Sequence, residues 1–208
     1  MQYYPNGSLG KFAKSSFKNE IFYKPIFAQI INGLEALHKK RFAHLDIKPG
    51  NILIDSNFRI GLTDFGLSEI VEDVKELQIK GSPMFMAPEI LKGRISLEAD
   101  LWSLGVTMYM CITGSRPFDF KNAFVNKKLD LRAVYSAITS DIKYPPMSEQ
   151  CEDLMRKLMK TSKEERLGAG KDGFEKLKRH PFFNGIDWNT PFESNPTLTP
   201  TTKALLLY

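Results

Sequence analysis

Residues 97–113 form a mostly apolar run that reads as one helix, with Gly114 as its stop. Its most apolar stretch, Leu101–Gly114, falls short of the roughly 18–20 residues needed to cross a bilayer, so it is expected to be a buried helix and not a membrane span. A helix that is apolar on most of its circumference needs other elements packed around it. A second helix follows from Tyr23, Ile26, Phe27, Ile30, Ile31, Leu34 and Leu37, which recur at three- and four-residue steps. It is expected from about Lys24, with Pro25 in its first turn, to near Lys40, where Lys39, Lys40 and Arg41 meet the negative end of the helix dipole. Further helices are expected near 130–139, 149–160 and 173–179. Two β-like runs, Ile52–Ile54 and Phe58–Leu62, flank Asp55-Ser56-Asn57 and predict a hairpin. Asp64–Glu89, with Gly66, Gly81, Pro83 and Pro88, reads as a long irregular loop of functional length.

The 208 residues suit one ordinary domain, and a 42% hydrophobic and 12% aromatic content excludes a disordered chain. The net charge of +5 arises from 29 Lys and Arg interspersed with 24 acids. The densest clusters, Lys39–Arg41 and Lys176–Arg179, are short and read as solvated helix ends, so no nucleic-acid partner is expected. Cys111 and Cys151 lack metal-ligand or CxxC spacing, which gives neither a disulfide framework nor a zinc site. The N-terminus shows no basic head followed by an apolar stretch, and a cytoplasmic or nuclear location is expected.

Between the second helix and the hairpin stands His44-Leu45-Asp46-Ile47-Lys48-Pro49-Gly50-Asn51. One short loop thus carries a carboxylate able to take a proton from a hydroxyl, an ammonium able to neutralise a phosphate, and an amide oxygen able to ligate Mg²⁺. Beyond the hairpin, Asp64-Phe65-Gly66 offers a second carboxylate, with Gly66 expected to permit a turn. Alone, Asp46 would read as a turn aspartate and Asn51 as a loop residue bonding its own backbone. The ordered set HxDxKxxN, DFG and Ala87-Pro88-Glu89 holds ten fixed positions. Each matches by chance about once in 20, so accident is excluded.

This set resembles the catalytic half of a eukaryotic protein kinase. The resemblance implies a mainly α fold, the kinase large lobe: a helical bundle with a short β-hairpin beside the catalytic loop. It implies a lobe over 1–187 that starts at a hinge-like Met1, and a tail over 188–208 similar to that of the AGC group. The AGC likeness rests on Glu165–Gly168, His180–Phe183 and Ile186–Trp188. Carried over by position, Asp46 is the base or orienter of the substrate hydroxyl and Lys48 stabilises the transferring phosphate. Asn51 and Asp64 hold Mg²⁺, Leu53 forms the floor under adenine, and the backbone of Gln2 and Tyr4 meets its edge. Asp100 matches the aspartate that braces the catalytic loop, and Arg166 the arginine that pairs with Glu89. His44 is expected to be structural, and Phe118, Phe120, Phe182, Phe183 and Trp188 to be core or tail packing. Lys48 with Ser82 resembles serine/threonine kinases, so the implied activity is transfer of the ATP γ-phosphoryl group to a protein Ser or Thr. The alternative is a non-catalytic kinase lobe serving as a binding or regulatory module.

The chain also departs from the family pattern. No Gly-rich phosphate loop, and no lysine for the α- and β-phosphates, precedes the hinge-like position. The isolated chain is therefore expected to be a poor kinase, with the face toward a small lobe covered by a partner or by the apolar end Leu205–Tyr208. Ser8, Gly50 and Met110 stand where basophilic relatives commonly place carboxylates, which argues against an arginine-directed preference. Leu45 replaces the arginine that receives a loop phosphate in the family. The stretch from Asp64 to Glu89 carries Glu69, Glu72, Asp73 and Glu76, and only Ser68 and Ser82 as hydroxyls. Phosphatase treatment of the intact protein is thus expected to leave its activity unchanged, and a large loss mapped to Ser68 would contradict this.

Overall fold

The computed structural model describes residues 4–14, 19–71, 81–121, 123–125, 128–191 and 193. Its helices are α1 (Leu9–Lys14), α2 (Glu20–Lys39), α3 (Glu98–Thr113), α4 (Leu131–Ile138), α5 (Glu149–Leu158) and α6 (Gly173–Lys178). Three two-stranded antiparallel ladders join them: β1 (Phe42–Ala43) with β4 (Glu69–Ile70), β2 (Ile52–Ile54) with β3 (Ile60–Leu62), and β5 (Phe124–Val125) with β6 (Lys128–Leu129). The fold is thus mainly α with a small amount of sheet, as the kinase resemblance implied. No helix among the described residues is long and apolar enough to cross a membrane.

The apolar run becomes α3, and every residue from Ala99 to Tyr109 is buried. It packs against α1, α2 and α5. Gly105 permits the approach of α5, since a Cβ there would lie 2.7 Å from Met159 Cγ. The helix stops at Gly114, whose φ of 71° is the left-handed closing geometry and whose N–H donates to the Met110 carbonyl. Trp102 stacks on Phe118 at 5.8 Å, confirming that aromatic as core.

The second helix begins earlier than its apolar period suggested. Asn19 caps it, its Oδ1 accepting from the amides of Ile21 and Phe22, so α2 starts at Glu20 and Pro25 lies inside the helix. The cap supplies a start signal stronger than the proline. Short α1 was not anticipated, because six residues hold too little of the helical period to read. It is stabilised by tertiary contact, with Leu9 and Phe12 buried and Phe12 ringed by Phe22 and Phe58.

The hairpin pairs Ile52 with Leu62, Leu53 with Gly61 and Ile54 with Ile60. Its second strand begins at Ile60 and not at Phe58, since Phe58 takes φ 60° within a turn organised by Asp55, whose Oδ1 accepts from the amides of Asn57 and Arg59. The long loop is also more ordered than its composition suggested. Glu69–Ile70 pairs with Phe42–Ala43, and Pro83–Phe85 is a 3₁₀ turn. Glu72, Asp73 and Glu76 lie outside the described residues.

Helices α4, α5 and α6 fall within the expected spans. Asp130 and Ser148 cap the first two. Phe182 and Phe183 are buried, and the Trp188 ring lies 5.2 Å from Phe183. Lys178 sits over Trp188 and Asn32 donates to the Trp188 carbonyl, so residue 188 is fastened to α2 and α6. Residues 194–208, including Leu205–Tyr208, lie outside the described set. Both cysteines are buried, and burial pushes the Cys151 thiol well above its ordinary value, consistent with packing and not with nucleophilic chemistry.

Arg166, nearly fully buried, meets Glu89 through two parallel hydrogen bonds of 2.6 and 2.7 Å. It also donates to the carbonyls of Glu98 and Lys160 and lies 5.3 Å from the Trp102 ring. One guanidinium thus ties the segment after the long loop to α3 and to the α5–α6 connection. Removing one partner of such a pair strands the other. Arg166→Met is expected to cost about 3–5 kcal/mol in denaturant unfolding, and a loss below about 1 kcal/mol would show that the pair behaves as a surface bridge.

Candidate active site

The segment His44–Asn51 is held from below by α3. Asp100, in the first turn of α3 and fully buried, accepts from the His44 amide at 2.9 Å and from the Leu45 amide at 2.8 Å. His38 Nε2 lies 2.9 Å from the same carboxylate, an arrangement in which the ring nitrogen donates. Leu45 takes φ 63°, a conformation that costs an ordinary residue about 1–2 kcal/mol, and Asp100 receives its amide at that strained point. His44 is buried; its Nδ1 accepts the Asp46 amide and its ring lies 4.8 Å from Phe65, in keeping with a structural role. Sequence reasoning anticipated the Asp100 brace but missed His38. No local pattern marks it, because its partner is 62 positions away.

Above this support the loop brings together three of the expected side chains. Lys48 Nζ donates to Asp46 Oδ2 at 2.6 Å, and Asn51 Nδ2 donates to the same oxygen at 2.7 Å and to the Asp46 carbonyl at 3.0 Å. Asp46 and Asn51 are buried, and Lys48 is partly so. Oδ2 is therefore fastened twice, while the Asp46 Oδ1 edge faces Gly81, 3.9 Å from the position a Cβ would take there. Lys48 also donates to Ser82 Oγ at 3.1 Å, which ties the loop to the Gly81–Glu89 stretch. With both amide hydrogens spent on Asp46, the Asn51 carboxamide turns its oxygen away from that residue.

Asp64 follows Thr63 at the far end of the hairpin. Thr63 anchors this end, its amide and hydroxyl both donating to the Asn51 carbonyl at 3.0 and 3.2 Å. Gly66 lies in the expected turn, which the Ser68 amide closes on the Phe65 carbonyl at 3.1 Å, and Asp64 just before it takes φ 63°, a conformation aspartate tolerates better than most residues. Gly66 supplies room: a Cβ there would lie 3.3 Å from Asp64 Oδ1. Asp64 and Phe65 are exposed. Ser68 donates to the His44 carbonyl at 3.0 Å, so this hydroxyl is part of the loop's own bonding. No group of three or more His, Cys, Asp or Glu side chains suited to a metal occurs among the described residues. The available donors are the Asn51 oxygen and the Asp64 carboxylate. That all-oxygen pair fits Mg²⁺, which takes few protein ligands and completes its shell with water and phosphate.

Of the residues expected around adenine, Gln2 lies outside the described set. Leu53 is half-buried on β2, opposite Gly61 and bridged to Ser8. The Tyr4 carbonyl accepts from the Gly7 amide at 3.1 Å, closing a turn. The Tyr4 ring rests on Gly61, where a Cβ would come within 2.1 Å of its hydroxyl. The Tyr4 ring thus lies by the Leu53–Gly61 pair, a contact that was unforeseen.

Residues 1–183 match the protein kinase domain family. The chain is 34% identical over 189 residues to 3-phosphoinositide-dependent protein kinase 1 of Arabidopsis thaliana, an alignment covering 83% of this chain and 37% of that protein. It is 39% identical over 178 residues to ribosomal protein S6 kinase alpha-2 of Homo sapiens, covering 83% of this chain and 24% of the relative. With ribosomal protein S6 kinase 2 beta of Xenopus laevis it shares 38% over 179 residues, covering 84% and 28%. The chain thus spans well under half the length of these relatives, which are kinases of the AGC group.

The bracing by Asp100 has a direct test. Asp100→Asn replaces one accepting oxygen with an NH₂ that faces another donor, at a cost of about 1–3 kcal/mol. Hydrogen exchange is expected to show the His44 and Leu45 amides losing protection while α5 keeps its own. Unchanged protection of those two amides would refute the brace.

Proposed function

Because this chain belongs to the protein kinase domain family, with relatives in the AGC group, we propose that it transfers the γ-phosphoryl group of ATP to a serine or threonine hydroxyl of a protein. The observation that carries this reading is the double fastening of Asp46 Oδ2 by Lys48 and Asn51. A residue merely capping a turn needs no partly buried ammonium and buried carboxamide on one oxygen. Phosphoryl transfer needs little covalent help from the protein and much positioning and charge stabilisation, which is what a rigid, hydrogen-bonded carboxylate offers.

In this reading Asp46 accepts a hydrogen bond from the substrate hydroxyl and orients its oxygen toward the γ-phosphorus. As the new O–P bond forms, the bond to the β–γ bridging oxygen breaks and ADP leaves with that electron pair. The hydroxyl proton passes to Asp46 and on to solvent. Lys48 donates to the phosphoryl oxygens as negative charge shifts during transfer. Asn51 and Asp64 would hold Mg²⁺, which would supply positive charge to offset that of the nucleotide phosphates. Leu53 would lie under adenine and the backbone of Tyr4 would meet its edge, together with Gln2, which lies outside the described residues. Lys48 with Ser82, the two hydrogen-bonded to each other, resembles serine/threonine kinases and supports that assignment. The same reading assigns 1–187 to the kinase lobe and 188–208 to an AGC-like tail.

The test is phosphate transfer from labelled ATP to serine- and tyrosine-containing peptides by the intact protein. Asp46→Asn is expected to lower kcat by about 10²–10⁴-fold. Asp64→Ala should abolish transfer, with the circular dichroism spectrum retained in both. An Asp46→Asn protein as active as the wild type would overturn the assignment, and nucleotide binding without transfer to any hydroxyl would favour a non-catalytic module.

A further inference from the structure

Behind the Glu89–Arg166 pair lies a concavity of about 560 Å³. It is bounded by residues 88–95, by Tyr135 of α4 and by residues 161–164, and it shares no catalytic side chain. Three cations line it: Lys92, Arg94 and Lys163. The Lys92 ammonium sits 4.7 Å over the Tyr135 ring, which sets its position without neutralising it. Among the described residues, neither Lys92 nor Arg94 has a carboxylate within 4.0 Å.

Two carboxylates also line the concavity, and only one is available to offset these charges. Glu89 is claimed by both arms of Arg166. Glu164 is exposed, 4.0 Å from Lys163, and accepts from Ser162 Oγ at 3.1 Å. Three cations therefore face a single carboxylate not already bound to arginine. Cations crowded within about a Debye length of one another reinforce each other's field, and a concave wall focuses it. The guanidinium fork suits carboxylate or phosphate oxygens, the ammonium groups act as point charges, and the tyrosine ring offers an apolar wall to a peptide stem.

We propose that this concavity binds an anionic segment of the protein substrate, bearing carboxylate or phosphate groups, so that the protein selects acidic substrates. The proposal rests on the kinase reading only in calling the bound segment a substrate. The concavity lies on the backbone that runs on from Ser82, itself bonded to Lys48. The stretch 82–95 would thus run from the anchored acidic segment to the loop that holds the reacting hydroxyl.

The experiment measures binding by the intact, nucleotide-free protein of three labelled peptides of equal length, one rich in glutamate, one carrying phosphoserine and one rich in lysine. The glutamate and phosphoserine peptides are expected to bind and the lysine peptide to fail. Affinity should fall as salt rises from about 0.1 to about 0.5 M. The double variant Lys92→Glu/Arg94→Glu, both positions exposed, should lose about tenfold in affinity while keeping the wild-type melting temperature. Binding of both anionic peptides would identify charge as the feature read, and binding of the phosphoserine peptide alone would identify phosphate; either supports the site. Equal binding of the lysine peptide, or undiminished binding by the double variant, overturns it. Because binding is measured without nucleotide, it is independent of transfer: a protein that binds these peptides but transfers no phosphate in the labelled-ATP assay removes the catalytic reading and leaves the site standing. One that phosphorylates serine peptides without anion binding removes the site alone.

Discussion

The site depends on one buried carboxylate. Asp100 is fully enclosed, and an ionised group so placed is costly unless its oxygens are occupied. Here they take the amides of His44 and Leu45 and the ring of His38, and the carboxylate also sits in the positive first turn of α3. The bonds go to the point where the backbone is strained, at the left-handed Leu45. Without that support the chain would relax, and Asp46, the next residue, would lose its aim. The burial of α3 and the geometry of the His44–Asn51 loop are thus one problem with one solution.

The same economy recurs one layer higher. Asp46 Oδ2 is shared by an ammonium and a carboxamide, so the loop is held by its own functional groups. The Asn51 carbonyl takes two bonds from Thr63, which couples the loop to the strand that delivers Asp64. At the lower edge, Arg166 closes the structure over Glu89 and the end of the long loop. The face beyond that pair carries cations that the internal bonding leaves unspent.

Much of this was legible in the residues. The helical periods of α2 and of α4 to α6, the Gly114 stop and the hairpin over residues 52–62 all follow from local pattern and turn chemistry. The ordered motifs brought Asp46, Lys48 and Asn51 together before any coordinates, and the contacts agree with that grouping. What escaped was too short or too distant. Helix α1 and strands β1 and β4 are short elements held by partners elsewhere in the chain, and β5 and β6, which pair with each other, are only two residues each. His38 reaches a partner 62 positions away. Gly66 lies in the expected turn, but the left-handed backbone at Asp64 just before it carried no local signal, because surrounding packing, and not intrinsic preference, selects which residue takes the strained conformation.

The sequence by itself determined the kind of fold and the chemistry available to it. An apolar helix had to be enclosed, and a carboxylate, an ammonium and a carboxamide two and five residues apart had to share a loop. Those are consequences of covalent spacing and solvent, which act on any chain with this order of residues. Only the tertiary structure decided which oxygen of Asp46 is fastened, how Tyr4 lies on the hairpin and which cations remain without carboxylates. Those outcomes depend on distances between residues far apart in the chain, which are fixed when the core closes.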